Sequence, residues 1–148
     1  MIIRKAKIHE ILQLSELAFQ SKAYWGYTDD FMEKCKDDLT VTPCDIEEKH
    51  VYVLEDNDKL LAFYSLELNP NRLDAFFIKP DYIGKGIGKL LWRDVMDRAK
   101  KLNIEEFTLD SEPNAEGFYK KMGAKRIGEI SSTVFQNRKL PLMKVMVH

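Results

Sequence analysis

The chain has 148 residues, of which 45% are hydrophobic, 32% charged and 11% aromatic, and its formal net charge is -1. That length suits one domain with a core of its own and is too short for two ordinary ones, so residues 1–148 are expected to form a single domain. The composition excludes a disordered or fibrous chain, and the balanced charge supplies no basic field for nucleic acid or an anionic membrane.

The opening "MIIRKAKIHEILQL" lacks the apolar core of a secretion signal, and no apolar run approaches the length of a membrane span, so a cytoplasmic location is expected. "MIIRKAK" reads as a first strand. "IHEILQLSELAFQSKA" reads as a helix, with Ile8, Ile11, Leu12, Leu14 and Ala18 along one stripe. Thr28 or Asp29 is placed to cap a second, shorter helix in "YWGYTDDFMEKCKDDL", and "VTPCDIEEK" reads as a connecting loop broken by Pro43. His50 then opens "HVYVLE". With "LLAFYSLEL" and "LDAFFIKP", and the turn clusters "DNDK" and "NPNR" between them, this run predicts an antiparallel meander. From Gly86 to Leu102 the period changes: Ile87, Leu90, Leu91, Val95, Ala99 and Leu102 recur at three- and four-residue steps, which predicts an amphipathic helix ended by Asn103. A strand "IEEFTLD", a short helix "NAEGFYKKM" stopped at Gly123, and two strands flanking "QNRK" complete the chain. The order β-α-α-β-β-β-α-β-α-β-β predicts an α/β fold with a mixed central sheet.

Metal chemistry is not expected. Cys35 and Cys44 match no zinc or redox spacing, and His9, His50 and His148 are scattered without carboxylates or thiols at ligand spacing. The chemical signal lies instead in "YIGKGIGKLLW", where Gly84, Gly86 and Gly88 precede a helix. Glycines at a helix start let backbone N–H groups close around an anion, and the helix dipole adds positive potential, so a phosphate ligand is indicated. The spacing G-x-G-x-G fails the dinucleotide fingerprint, because Lys89 stands where a third glycine is needed. It also fails the Walker pattern, because Leu90 follows "GIGK".

"FFIKPDYIGKGIGKLL" resembles the acetyl-CoA loop of the GNAT (Gcn5-related N-acetyltransferase) superfamily, in which a strand ending in Val-x-Pro runs into Q/R-x-x-G-x-G/A and a helix. "EPNAEGFYKKMGA" is similar to that family's later N-P-x-A-x-x-F-Y motif, separated from the loop by one helix and one strand as in the family. The resemblance covers the whole chain, with its sharp motifs at residues 76 to 89 and 112 to 124. It implies the GNAT fold, acetyl-CoA as donor and no metal, with the CoA pyrophosphate on Gly84, Lys85, Gly86, Ile87, Gly88 and Lys89. It also implies strand contacts from Phe76, Phe77 and Ile78, and places Asn114 near the pantetheine arm or as a helix cap. Two positions depart from the family pattern: Ile83 replaces Gln or Arg, and Glu112 replaces Asn.

The reaction implied is direct acetyl transfer to a primary amine in a ternary complex. The family's thiolate-protonating tyrosine corresponds to Tyr119, and its oxyanion-stabilising N–H falls near Phe77 or Ile78. Asp74 and Glu67, at strand ends, are the candidate bases, directly or through a water chain. For the acceptor, Tyr24, Trp25 and Tyr27 around Gly26 either form an aromatic wall for an amine or plug the core edge, and Asp29 and Asp30 either attract a cation or cap the next helix. The acceptor is a small-molecule amine or a peptide or protein amine, and "LPLMKVMVH" offers a strand for pairing across a homodimer. Two rivals stand beside this reading: a non-catalytic CoA-binding sensor or regulatory domain of the same fold, and a scaffold without ligand.

Overall fold

The computed structural model describes residues 1–148. Along the chain come β1 (Ile2–Lys5), α1 (Ile11–Ala23), α2 (Asp29–Cys35), α3 (Pro43–Glu48), β2 (His50–Asp56), β3 (Lys59–Glu67) and β4 (Arg72–Ile78). Then follow α4 (Ile87–Lys101), β5 (Glu106–Asp110), α5 (Glu116–Lys121), β6 (Lys125–Ser131) and β7 (Lys139–Met146). All seven strands join one mixed sheet in the order β1–β2–β3–β4–β5–β7–β6, the α/β arrangement expected.

Local chemistry explains most boundaries. The β2–β3 hairpin closes on Asn57 and Asp58, both left-handed (φ 51° and 64°), a conformation their short polar side chains tolerate. Thr28 caps α2 by accepting from the Phe31 N–H at 3.1 Å. The stretch around Pro43, expected as a loop, is the helix α3. Thr42 Oγ1 accepts from the Asp45 N–H at 3.2 Å, the Asp45 carboxylate accepts from the Thr42 N–H at 2.9 Å, and Pro43 occupies the first helical turn, where no N–H is needed.

The helices bury different stripes from those predicted at two points. In α4, Ile87, Leu91, Trp92, Val95 and Ala99 face the sheet, while Leu90 stays exposed. In α1 the buried set is Leu14, Leu17, Ala18 and Ser21; Leu12 is 81% exposed, and Ile8 lies in a preceding 3-10 turn. These stripes make two cores, one on each sheet face. Tyr64, Leu66, Phe107 and Met143 pack beneath α4, and Val51, Val53 and Phe63 pack beneath α1 and α2.

Two topological features position the site. β4 and β5 run parallel but share a single registered pair, Arg72 with Thr108, so the strands part from there toward Ile78. β7 is inserted between β5 and β6, antiparallel to both. Both edges of β7 are therefore occupied, and the expected pairing of "LPLMKVMVH" across a dimer has no free edge to use. No helix is long and apolar enough to cross a membrane.

Candidate active site

Where β4 and β5 part, the outer edge of β4 loses its partner. The Lys79 N–H donates to the Leu61 carbonyl at 2.8 Å, toward β3. Successive N–H groups of a strand alternate sides, so Phe77 also donates toward β3, while Phe76 and Ile78 turn their N–H groups to the open edge. Of the two residues expected to supply an oxyanion donor, Phe77 is thus excluded by direction. Ile78 holds a long 3.4 Å contact to Ser21 Oγ of α1. The opening widens into a cleft of about 990 Å³ that runs from the glycine loop to α2 and the β6–β7 loop.

At one end lies the glycine loop. Gly84 and Gly86 have φ of 82° and 83°, a region that side chains with a Cβ rarely enter, and α4 begins directly after them. No N–H from Gly84 to Lys89 donates to an acceptor within the chain. That run of free amides at a helix start is a donor set suited to a diphosphate. Gly88 serves packing instead. A Cβ there would lie 3.0 Å from Phe118 Cε1 and 3.3 Å from Ile78 Cδ1, so its absence lets α4 approach α5 and β4.

Gly84, Gly86, Gly88 and Lys89 line the cleft. Two expected side chains do not. Ile87 is core, 5% exposed, so it can offer the ligand only its N–H, and Lys85 holds its ammonium 5.5 Å from the centroid of the Tyr82 ring. Ile83 lines the cleft with an apolar side chain where the family pattern has a polar one.

Tyr119 stands on α5, 7% exposed, on the cleft wall. Its ring meets Phe76 of β4 edge-on at 6.0 Å and lies 5.9 Å from Trp92 of α4, so two neighbouring elements fix its direction. The hydroxyl has no hydrogen-bond partner within the protein, so it is free for a ligand. Burial pushes its pKa well up and the charge of Glu112 pushes it further, so the phenol is neutral at pH 7 and able to donate.

The two expected bases lie in an ion-pair cluster. Lys49 Nζ is 2.9 Å from Asp74, 3.2 Å from Asp45 and 3.7 Å from Glu67, while Arg72 is 3.1 Å from Asp74 and 3.3 Å from Glu67. A register shift between Ser65 and Leu66 makes Asp74 the bulged residue of β4, which aims it into this cluster. Asp74 lines the cleft and Glu67 does not. Each already pairs with two cations, Lys49 and Arg72.

The aromatic stretch is divided. Trp25 reaches the main cleft, whereas Tyr24 lies with Gln20 and Pro80 on a separate shallow surface, and Gly26, at φ 87°, turns the chain after them. Tyr27 stacks on Phe31 at 4.3 Å, and Phe31 on Phe135 of the β6–β7 loop at 4.6 Å. The faces of that stack are taken: Lys22 Nζ lies 5.3 Å from the Tyr27 centroid and the Arg138 guanidinium 5.1 Å. An ammonium-binding wall of Tyr24, Trp25 and Tyr27 is therefore not formed, and Trp25 alone of the three meets the cleft.

At the centre is Glu112, which the sequence marked only as a departure from pattern. Its carboxylate accepts from the Tyr27 hydroxyl, from Asn114 Nδ2 at 2.7 Å and from Lys22 Nζ at 3.0 Å, with Arg138 at 3.9 Å. Burial alone would raise its pKa, but the bond from Tyr27 and the charge of Lys22 outweigh that and hold it below the usual carboxylate range. Burial and the same bond lift the Tyr27 phenol to about 12. Asn114 spends its amide N–H groups on Glu112 and Tyr27, leaving its carbonyl oxygen for a ligand.

Residues 23–138 match the family model of the acetyltransferase (GNAT) domain. The chain belongs to the GNAT family. As a GNAT chain it is 40% identical over 75 residues to the peptidyl-lysine N-acetyltransferase YjaB of Salmonella typhimurium; the match takes in 49% of this chain and 48% of that protein, about half the length of the curated relative. Among solved structures, a GCN5-related N-acetyltransferase from Rhodopseudomonas palustris superposes with a TM-score of 0.85 at 17% identity, covering 98% of this chain and 94% of the other. The PaiA N-acetyltransferase of Thermoplasma acidophilum, solved with coenzyme A, gives 0.77 at 24% identity, with 98% of each chain covered. At these identities the likeness shows the shared GNAT fold.

Proposed function

We propose that this GNAT protein transfers an acetyl group from acetyl-CoA to a primary amine by direct attack within a ternary complex. One observation carries the reading: a single cleft joins the free amides of Gly84–Lys89, the open edge of β4 and the unpartnered Tyr119 hydroxyl. The loop amides and the start of α4 hold the pyrophosphate of the donor. The donor's pantetheine arm follows the open edge of β4, where the N–H of Phe76 or Ile78 is turned to receive the thioester oxygen as it gains charge. The neutral amine attacks the thioester carbon, the C–S bond breaks, and Tyr119 protonates the departing thiolate. The proton lost by the amine passes to water in the cleft and from there restores the Tyr119 phenol, while Asp74 holds its pairs with Lys49 and Arg72. A donor of this kind fits a reaction in the cytoplasm.

The test is thiol release. Protein, acetyl-CoA and spermidine, L-lysine, kanamycin or a lysine-containing peptide are mixed, and free CoA is followed with a thiol reagent. At least one amine is expected to raise release, saturably, above the amine-free rate. The peptide is included because YjaB, by its name, acts on peptidyl-lysine. If acetyl-CoA raises the melting temperature but no amine raises release, the binding-only reading replaces this one, and without a shift the scaffold reading does.

A further inference from the structure

We propose that Glu112 is the positioning residue that assembles the acceptor end of the cleft before any acceptor arrives. This rests on the acetyl-transfer reading above. Four segments meet on its carboxylate: Lys22 of α1, Tyr27 of the α1–α2 turn, its near neighbour Asn114, and Arg138 of the β6–β7 loop. Arg138 Nη2 also donates to the Tyr27 hydroxyl at 2.6 Å, so the anchor closes on itself.

The charge count explains why the carboxylate is needed. Lys22 and Arg138 both approach the Tyr27–Phe31 stack, and without an anion between them two cations would face each other in a half-buried site. Removing one member of a buried charge group leaves the others uncompensated, which opposes the geometry far more than losing an exposed pair would. The Asn of the family pattern could accept these hydrogen bonds but could not neutralise the cations.

What Glu112 secures is the loop carrying Ser132, Thr133 and Val134 along the cleft wall. That loop is tied down elsewhere by only a few contacts: Thr133 Oγ1 donates to Asp38 at 3.1 Å, the Ser132 N–H donates to the Arg138 carbonyl at 2.8 Å, and Phe135 stacks on Phe31. Arg138 is thus the charged link between the loop and Glu112, beside the packing of Val134 and Phe135. Burial raises the pKa of Tyr119, and the charge of Glu112 raises it further.

The test compares wild type with Glu112→Gln, which keeps the size and an accepting oxygen while removing the charge. Two readouts are expected together. Amide exchange over residues 132–138 of the unliganded protein speeds up by about tenfold or more, reporting a loop released from its anchor. With the amine identified by thiol release, the acceptor KM rises by about tenfold or more while the acetyl-CoA dissociation constant stays within about twofold, since the loop amides are untouched. Glu112→Asp, which restores the charge, is expected to recover part of the loop protection and part of the acceptor KM. Unchanged exchange over 132–138 overturns the proposal whether or not any amine is turned over. Equal losses in acceptor and acetyl-CoA affinity overturn it too, since they would mean a general loss of structure. If wild type turns over no amine, the acetyl-transfer reading fails and the positioning role of Glu112 fails with it, while the exchange result then describes a loop anchor alone.

Discussion

Tyr119→Phe is expected to lower kcat by about a hundredfold or more, the usual worth of a positioned general acid, while acetyl-CoA affinity changes by no more than about twofold. The ring contributes packing against Phe76 and Trp92, and phenylalanine keeps it. Only the hydroxyl is lost. Since that hydroxyl bonds to nothing in the protein, removing it leaves no buried partner stranded and little change in stability is expected. Steady-state kinetics with a direct acetyl-CoA titration separates the two quantities. Parallel losses in turnover and affinity, or no loss of turnover, would remove Tyr119 from the role of acid.

Gly86→Val is expected to act in the opposite sense and weaken acetyl-CoA binding by about a hundredfold or more. A valine Cβ would meet no atom within 4 Å at this position, so the cause is not a clash. It is the backbone: φ is 83°, and a β-branched residue there costs of order 1–3 kcal/mol and drives the loop to another conformation. The free amides then no longer converge, and each charge-assisted bond lost from the pyrophosphate is worth about 1.5–3 kcal/mol. Calorimetric titration of the variant checks this. Unchanged affinity in a folded Gly86→Val protein would take the loop out of donor binding.

The legible parts of the fold are those set by local rules. The β2–β4 meander follows from alternation and from turns such as Asn57-Asp58, and the nest from glycine spacing at a helix start. α3 is hidden because Pro43 reads as a breaker when taken alone, whereas in a first turn capped by Thr42 it belongs to the helix. The insertion of β7 between β5 and β6 has no local signature, since strand order is decided by which edges remain to be covered. The candidate site divides in the same way. The phenol on α5 and the loop glycines sit within short motifs, but the anchor on Glu112 joins Tyr27 to Arg138 across 111 residues. Nothing in "QNRK" marks an arginine that closes over a tyrosine stack. The sequence shows that aromatics cluster around Gly26, yet the left-handed turn at that glycine decides that Trp25 faces the cleft and Tyr27 does not.

Asp74 and Glu67 differ from expectation for a related reason. A strand-end carboxylate in a sequence looks available, and only the folded chain shows Lys49 arriving from the end of α3 to occupy both. In the mechanism proposed above the amine proton therefore goes to water.

The decisive measurement is a crystal structure with CoA bound. Pyrophosphate oxygens are expected within hydrogen-bonding distance of N–H groups between Gly84 and Lys89, with the sulfur beside the Tyr119 hydroxyl at the open edge of β4. A pyrophosphate held away from that loop, or a sulfur that the Tyr119 hydroxyl cannot reach, would contradict both the donor site and the acid.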